Sequence, residues 1–507
     1  MMPKQLEAQD HEQQGRGQED VIGLKPRLCK ALQDWLKNAE IIYRVASGCK
    51  GPAHIVFPQL MARNIQDMRD TLEDCGLQYR IYFAHKPTKS HVFVRQALKE
   101  GIGLDVASEK ELVSALSAGF RGEQIECTGV KNNAFLELAL RHRCVIVLDS
   151  KQELQRICAL KDSMGLKDTT NVLVRITDVS FADRQHKSRH SRFGNTQRSL
   201  PEIFEVFHDR ADIEFIGYHL HNDERESDIR AAQVEDILSL MEAAYEEGFE
   251  PTLLNIGGGL RRQMLDHYDD WAVFVNALEE ALMDQHPQIT WERYSYGMRL
   301  NDKGKIMGRG AVQGLIPAGD FSKVLTEIFT SDRQRGRELG KIIVENGFDV
   351  VVEPGHALLD QCGISLFEVV EVKENRDGEN MVLVDANMYN LAVPMREYLF
   401  DPLLIPRPEQ DNKEKPANDE GFEGFIIGNL CREEDFLTKR KISFGRKPQA
   451  GDLIAFTNTA AYKMDFEDAS PHLHTTGTKI VAYRKQGVWQ HCQEDAYNPY
   501  DAGEIDL

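Results

Sequence analysis

The chain reads as an α/β protein, a (β/α)8 TIM barrel followed by a C-terminal all-β domain. Three observations predict this. From about residue 80, eight short apolar runs rich in β-branched and aromatic residues alternate with longer stretches of helical period. After about residue 363 that alternation stops, and strand-like runs follow one another without regular helices. The length, 507 residues, suits a barrel-sized domain plus at least one more. A doubly wound open sheet also alternates strands with helices, and alternation alone leaves it open.

In order along the chain, residues 1–26 are polar and rich in Gln and Glu, the composition of a loosely attached arm. The amphipathic segment RLCKALQDWLKN (27–38) then predicts a helix preceding the barrel. The expected barrel strands are RIYFAHK (80–86), IGLDVAS (102–108), QIECTG (124–129), CVIVLD (144–149), NVLVRI (171–176), EFIGYHLH (214–221), TLLNIGG (252–258) and FDVVVEPG (348–355). Helical stretches such as HVFVRQALKE (91–100) and IRAAQVEDILSLMEAAYEE (229–247) lie between them. The barrel domain is expected over 27–365 and the β domain over 366–507. From Gly259 to Glu353 there are 94 positions, far more than one helix needs. The aromatic, Gly-rich stretch 286–320 is therefore expected to be an inserted excursion and a candidate lid. The polar run 406–421 predicts a solvated loop within the second domain.

Composition excludes several functions. Lys and Arg number 61 against 81 Asp and Glu, a formal net charge of −20 with no basic cluster, which argues against binding a phosphate backbone. Nowhere do about 18 apolar residues run together, and the N-terminus lacks an apolar core, so neither a membrane span nor a secretion signal is expected. The nine cysteines are odd in number, scattered and never spaced C-x-x-C. That predicts reduced thiols in a cytoplasmic protein, with no zinc site. His186 with His190 and His472 with His474 lack the accompanying ligands of a metal site and are expected in solvated loops.

In a barrel, chemistry sits at the C-terminal ends of the strands, where the βα loops converge. The unusual residues fall there. Lys86 closes the first strand, Asp105 lies late in the second and Arg175 late in the fifth. His221 ends the sixth, Gly257, Gly258 and Gly259 follow the seventh, and Glu353 lies near the end of the eighth. Each has an ordinary reading: a snorkelling lysine, a structural histidine, a tight glycine turn, a loop start. The shared rim sets them apart. A lysine desolvated at a barrel mouth becomes a Schiff-base amine. A glycine run offers N–H groups to a phosphate. A carboxylate can keep a pyridine nitrogen protonated while an imidazole lies against the ring. Those are the parts that pyridoxal phosphate needs.

The motifs YFAHKPTKS, LDVASEKEL, VLVRI, GYHLHN, NIGGGL, EPGH, IGNLCREEDFL and NTAAYKMDF resemble, in this order, those of the fold-type III pyridoxal-phosphate-dependent decarboxylases. That family, alanine racemase-like in fold, includes diaminopimelate, ornithine and arginine decarboxylases and relatives in siderophore-precursor synthesis. The resemblance covers about residues 50–480. It implies that Lys86 bonds the cofactor, that Asp105 and Arg175 orient that lysine and the cofactor, and that His221 stacks on the pyridine ring. It further implies that Gly257, Gly258 and Gly259 bind phosphate, that Glu353 pairs with the pyridine nitrogen and that Tyr462 reaches the phosphate. Cys431 matches a proton donor contributed across a homodimer interface, so two subunits are expected to share each site.

The departures shape the expected substrate. Asp223 and Glu224 stand where the family has Gly-Ser, and His356 replaces the arginine of E-P-G-R at the phosphate or substrate. Arg432 follows the cysteine where an amine-binding acid is usual, and the R-P-x-L-Y segment reads Val393-Pro394-Met395-Arg396-Glu397, without its arginine. Diaminopimelate and ornithine are thus disfavoured, and Arg432 points to an amino acid with an anionic distal group. The SRFG segment (191–194) is expected near the rim and the substrate. The reading is a decarboxylase acting on the α-carboxylate of an amino acid, with no nucleic-acid or membrane partner. A racemase of the same fold and a catalytically inactive regulatory homologue are the alternatives. The carboxylate of Glu353 favours the decarboxylase over the racemase, because it strengthens the electron sink.

Overall fold

The computed structural model describes residues 22–179, 191–221, 224, 226–313, 315, 319–332, 336–408, 421–468 and 471–503. The first 21 residues, the segment carrying His186 and His190, Asp223, and most of the 406–421 run lie outside them.

Eight parallel strands close on themselves. After a short strand β1 (Ala53–Val56) come β2 (Tyr79–Ala84), β3 (Gly103–Val106), β4 (Ile125–Cys127), β5 (Val145–Leu148), β6 (Thr170–Arg175), β7 (Ile213–His219) and β8 (Leu253–Asn255). A hairpin of β9 (Arg299–Leu300) and β10 (Ile306–Met307) intervenes before β11 (Asp349–Val352). β11 pairs with both β8 and β2 and so shuts the barrel. The fold is the expected (β/α)8 barrel, not an open sheet. Helices such as Glu109–Ala118 and Lys151–Met164 start on Ser108 and Ser150, whose side chains accept the N–H groups of Glu111 and Glu153.

Side chains alternate between the two faces of each strand. Tyr82, Val145, Val147, Leu173, Leu253 and Val351 form a separate buried cluster drawn from strands alone, the plug of the lumen. Their neighbours Ile81, Phe83, Ile146, Leu148, Val172, Val174, Leu254, Val350 and Val352 belong to the large cluster packed under the helices. Burying each such side chain contributes about 1.5–3 kcal/mol. Continued by the same period of two, the inward positions toward the C-terminal rim are Asp105, Glu126, Arg175, Asn255 and Glu353. The apolar plug is therefore capped by a polar layer.

The second domain is a nine-stranded sheet. Its strands are β12 (Gly363–Glu374), β13 (Asn380–Val384), β14 (Leu403–Ile405), β15 (Phe422–Ile427), β16 (Ile442–Phe444), β17 (Leu453–Thr457), β18 (Thr478–Lys485) and β19 (Val488–Gln493), with β1 as the ninth. β12 is the hub, antiparallel to β1, β13 and β17. β1, which the sequence reading leaves unassigned, lies between β12 and β18. The first strand of the described residues thus lies in the second sheet, and the chain then enters the barrel and returns.

The 286–320 excursion docks on the second domain. Lys439 accepts the Trp291 N–H at 2.8 Å, Lys441 donates to the Ile289 carbonyl at 3.0 Å, and the Trp291 ring packs against Phe425 and Phe436.

Candidate active site

The rim layer and the loops above it enclose a cavity of about 550 Å³. Lys86, His221, Gly258, Gly259, Glu353, His356 and Tyr462, all singled out from sequence, line it. Leu315 joins them, so the excursion supplies part of the wall. Lys86 is exposed to the cavity rather than buried, so the desolvation expected of it is not met. Tyr462 comes from the second domain; its N–H donates to the Pro87 carbonyl at 2.9 Å, which fastens it beside the Lys86 loop.

Glu353 is buried at the cavity floor and heavily hydrogen-bonded. Its Oε1 accepts from His219 Nε2 at 3.0 Å and from Asn255 Nδ2 at 2.8 Å, and its Oε2 lies 3.4 Å from His221 Nδ1. Burial by itself would raise this carboxyl, but the charges and hydrogen bonds of His219 and His221 outweigh it and hold Glu353 well below the usual range. Burial lowers His219, and the charge and hydrogen bond of Glu353 oppose that shift. The His219 and His221 rings lie parallel, 6.4 Å apart.

The glycine loop is fixed from below. Asn255 Oδ1 accepts the Gly257 N–H at 2.8 Å, and the buried Arg230 donates to the carbonyls of Gly258 and Ile256 at 3.0 and 3.2 Å. A Cβ on Gly258 would fall 2.6 Å from the Glu353 carbonyl oxygen, and Gly257 has φ +68°, so neither position tolerates a side chain. The loop backbone can therefore approach a ligand closely.

Asp105 and Arg175 stand in the rim layer without lining the cavity. Asp105 Oδ1 accepts from Thr128 Oγ1 at 2.5 Å, and burial followed by the Glu353 charge pushes its carboxyl well above the usual range. Arg175 lies over the Phe193 ring at 4.8 Å, which brings the SRFG segment to the rim. Gly257 holds the loop without lining the cavity. Of the Asp223-Glu224 pair, only Glu224 is described, and it does not line the cavity.

Two expectations fall elsewhere within this chain. Cys431 and Arg432 are exposed and do not line its cavity. Arg432 donates to Glu434 at 3.1 Å and to the Tyr389 hydroxyl at 3.4 Å. Conversely, the arginine absent from position 393 is replaced in space, since Arg396 reaches the cavity wall, as does Arg261 just past the glycine run. Burial, then the charges of Arg396 and Arg261, lower His356 to about 3, so its imidazole is neutral at ordinary pH.

Sequence reasoning also missed Glu126, His219, Asn255 and Arg230. The signal for the first and third was present: period-two counting from Val351, Leu253 and the apolar flanks of Glu126 puts them in the rim layer. No comparable signal marks Arg230, which acts from the helix Ser227–Glu246.

Comparison with known proteins agrees with this geometry. Residues 59–294 match the family described as pyridoxal-dependent decarboxylase, pyridoxal binding domain. An uncharacterised protein of Sinorhizobium fredii, y4yA, is 26% identical over 89% of this chain and 92% of its own length. The diaminopimelate decarboxylase of Bacillus methanolicus is 28% identical over 81% of this chain and 83% of its own. In fold, the chain resembles the diaminopimelate decarboxylase of M. jannaschi, with a TM-score of 0.64, 17% identity and coverage of 90% of this chain and 95% of the other. It also resembles the arginine decarboxylase of Paramecium bursaria Chlorella virus, with a TM-score of 0.60, 15% identity and coverage of 85% and 96%. Residues 59–294 thus carry the pyridoxal-binding domain of the pyridoxal-dependent decarboxylases, the family that relatives aligned over four-fifths or more of the chain support.

Proposed function

We propose that this protein removes the α-carboxylate of an amino acid bearing an anionic distal group, working as a homodimer with shared sites. The cofactor of the family is pyridoxal phosphate, and the residues present fit it. A pyridine nitrogen needs a fixed anion, which Glu353 offers through its two histidines and Asn255. A phosphate needs close backbone N–H groups and positive charge, which the Gly258–Gly259 turn and Arg261 offer on one cavity wall. Arg261 answers the departure at His356, whose neutral imidazole brings no charge.

When bound, the cofactor supplies an electron sink that weakens the bond to a carboxylate on the neighbouring carbon. The chain does the rest. Lys86 Nζ would be the attachment point and, by bonding the cofactor again as a nucleophile, would release the amine product. His221 covers one ring face. Glu353 keeps a proton on the ring nitrogen. Cys431 Sγ, exposed on its own subunit, returns a proton to Cα in the cavity of a second copy. Arg396 favours a substrate with a distal anion, and Arg432 adds to this from the second copy.

The observation that carries this reading is the meeting of Lys86, His221, the glycine turn and Glu353 in one cavity. The purified protein should show a visible cofactor band that borohydride bleaches and that Lys86→Ala lacks. Amino acids with acidic side chains should then release carbon dioxide fastest. A protein that stays colourless with added pyridoxal phosphate would defeat the enzyme reading. Preference for lysine or ornithine would defeat the anionic substrate alone.

A further inference from the structure

Glu126 is fully buried in the barrel lumen, yet the chemistry above makes no use of it. It projects from the middle of β4, paired in register with Asp105 on β3 and with Val145 on β5. Its Oε2 accepts from Asn255 Nδ2 at 2.9 Å, and the same amide nitrogen donates to Glu353 Oε1 at 2.8 Å. The amide orientation is fixed, because Asn255 Oδ1 takes the Gly257 N–H. Its two amide protons therefore go to two carboxyl groups, one each. Glu126 Oε1 has no hydrogen-bond partner among the described residues, and the carboxyl group beside it is that of Glu353, held on the same Asn255 amide.

Two carboxylates cannot hydrogen-bond to each other, since neither has a proton to give; one must be the acid. In a buried site holding both, a shared proton is the low-energy arrangement. Glu353 has two histidines to hold its charge, and Glu126 has none. The groups facing Glu126 are Asp105 from β3, Glu353 beyond β11, and Tyr82 and Arg80 from β2. The one fixed cation among them, Arg80, is bound to Asp349 at 2.9 Å. Burial, then the charges of Glu353 and Asp105, raise Glu126 well above the usual carboxylate range.

We propose that Glu126 is a neutral carboxylic acid that donates its proton to Glu353, and so acts as the positioning residue that keeps Glu353 anionic toward the cofactor. The proposal rests on the reading of Glu353 as the partner of the ring nitrogen. With the donor in place, Glu353 is a weaker base and leaves the proton on that nitrogen. Without it, Glu353 competes for the proton and the electron sink weakens.

The test compares Glu126→Gln with Glu126→Leu in the holoenzyme. Glutamine keeps a neutral donor of the same shape, whereas leucine removes it. Glu126→Gln should keep kcat within a few-fold and leave the pH profile of the cofactor's visible band in place. Glu126→Leu should lower kcat about tenfold to a hundredfold, the worth of one hydrogen bond to a charged group, with KM little changed and the band's pH midpoint moved. Equal damage from both would show that Glu126 acts as an anion, and no effect from either would remove its role. Should the leucine variant not fold, infrared spectroscopy decides. The native protein should show a protonated-carboxyl stretch that Glu126→Gln lacks, and an unchanged spectrum would overturn the proposal. That stretch is read with or without cofactor, so absence of cofactor binding would sink the enzyme reading and leave the state of Glu126 still measured.

Discussion

His356 sets the residue-scale problem. Its imidazole sits where the family resemblance leads one to expect an arginine, and it is kept neutral by burial and by the nearby charges of Arg396 and Arg261. The consequence for stability has a definite sign. In the unfolded chain the ring protonates near pH 6.5, but in the fold only near pH 3. Between those values the unfolded state binds more protons, so this group makes the fold less stable as pH falls, by at most about 1.4 kcal/mol per pH unit. His356→Gln, which cannot titrate, should flatten that part of the profile. Urea midpoints of both proteins between about pH 7 and about pH 5 would show it, and identical slopes would mean that the ring is not held neutral. Single residues also show what the sequence could and could not say. Lys86, His221 and Glu353 are legible because they end strands and differ in kind from their neighbours. Glu126 and Asn255 lie in the same rim layer but inside strand runs, so only period-two counting along the strand marks them, not a change of residue kind at a strand end.

Among the elements, the eight barrel strands were legible because each is a short apolar run followed by a helical period, a local signal. β1 was not. It is four residues long, fully buried and without polar alternation, and its partners lie more than 300 positions away at Leu366 and Thr478. Nothing nearby in the chain records that it is the middle of a sheet. Its place has an energetic consequence, since Ile55 is wholly buried between β12 and β18. Ile55→Ala should destabilise the protein by about 2–5 kcal/mol, the cost of a cavity where neighbours on both sides are fixed. Chemical denaturation measures this. A loss under about 0.5 kcal/mol, as for a surface site, would contradict the central position of β1. The strand also ties the start of the chain to the hub β12, which continues from the Glu353 loop, so loss of β1 should loosen the attachment of Tyr462 at Pro87 as well.

At the scale of the molecule, no cysteine stands among the residues that line the cavity. Cys431 and Arg432 are exposed on the second domain, held in a turn whose buried Asp435 accepts the N–H groups of Leu430 and Met388 at 2.8 Å each. On the same domain Met395 and Leu473 are 68% and 91% exposed. If a second copy uses the turn, Lys86→Ala and Cys431→Ala are each inactive for reasons located in different subunits. Mixed under conditions where subunits exchange, half of the dimers pair one variant with the other, and each of those has one site with both groups intact. Activity should return to about a quarter of the native value, from two proteins that are each nearly inert. Recovery would mean that every site draws Lys86 from one subunit and Cys431 from the other. No recovery, with exchange verified by a size or label difference, would place the proton donor within the chain and leave Cys431 as surface.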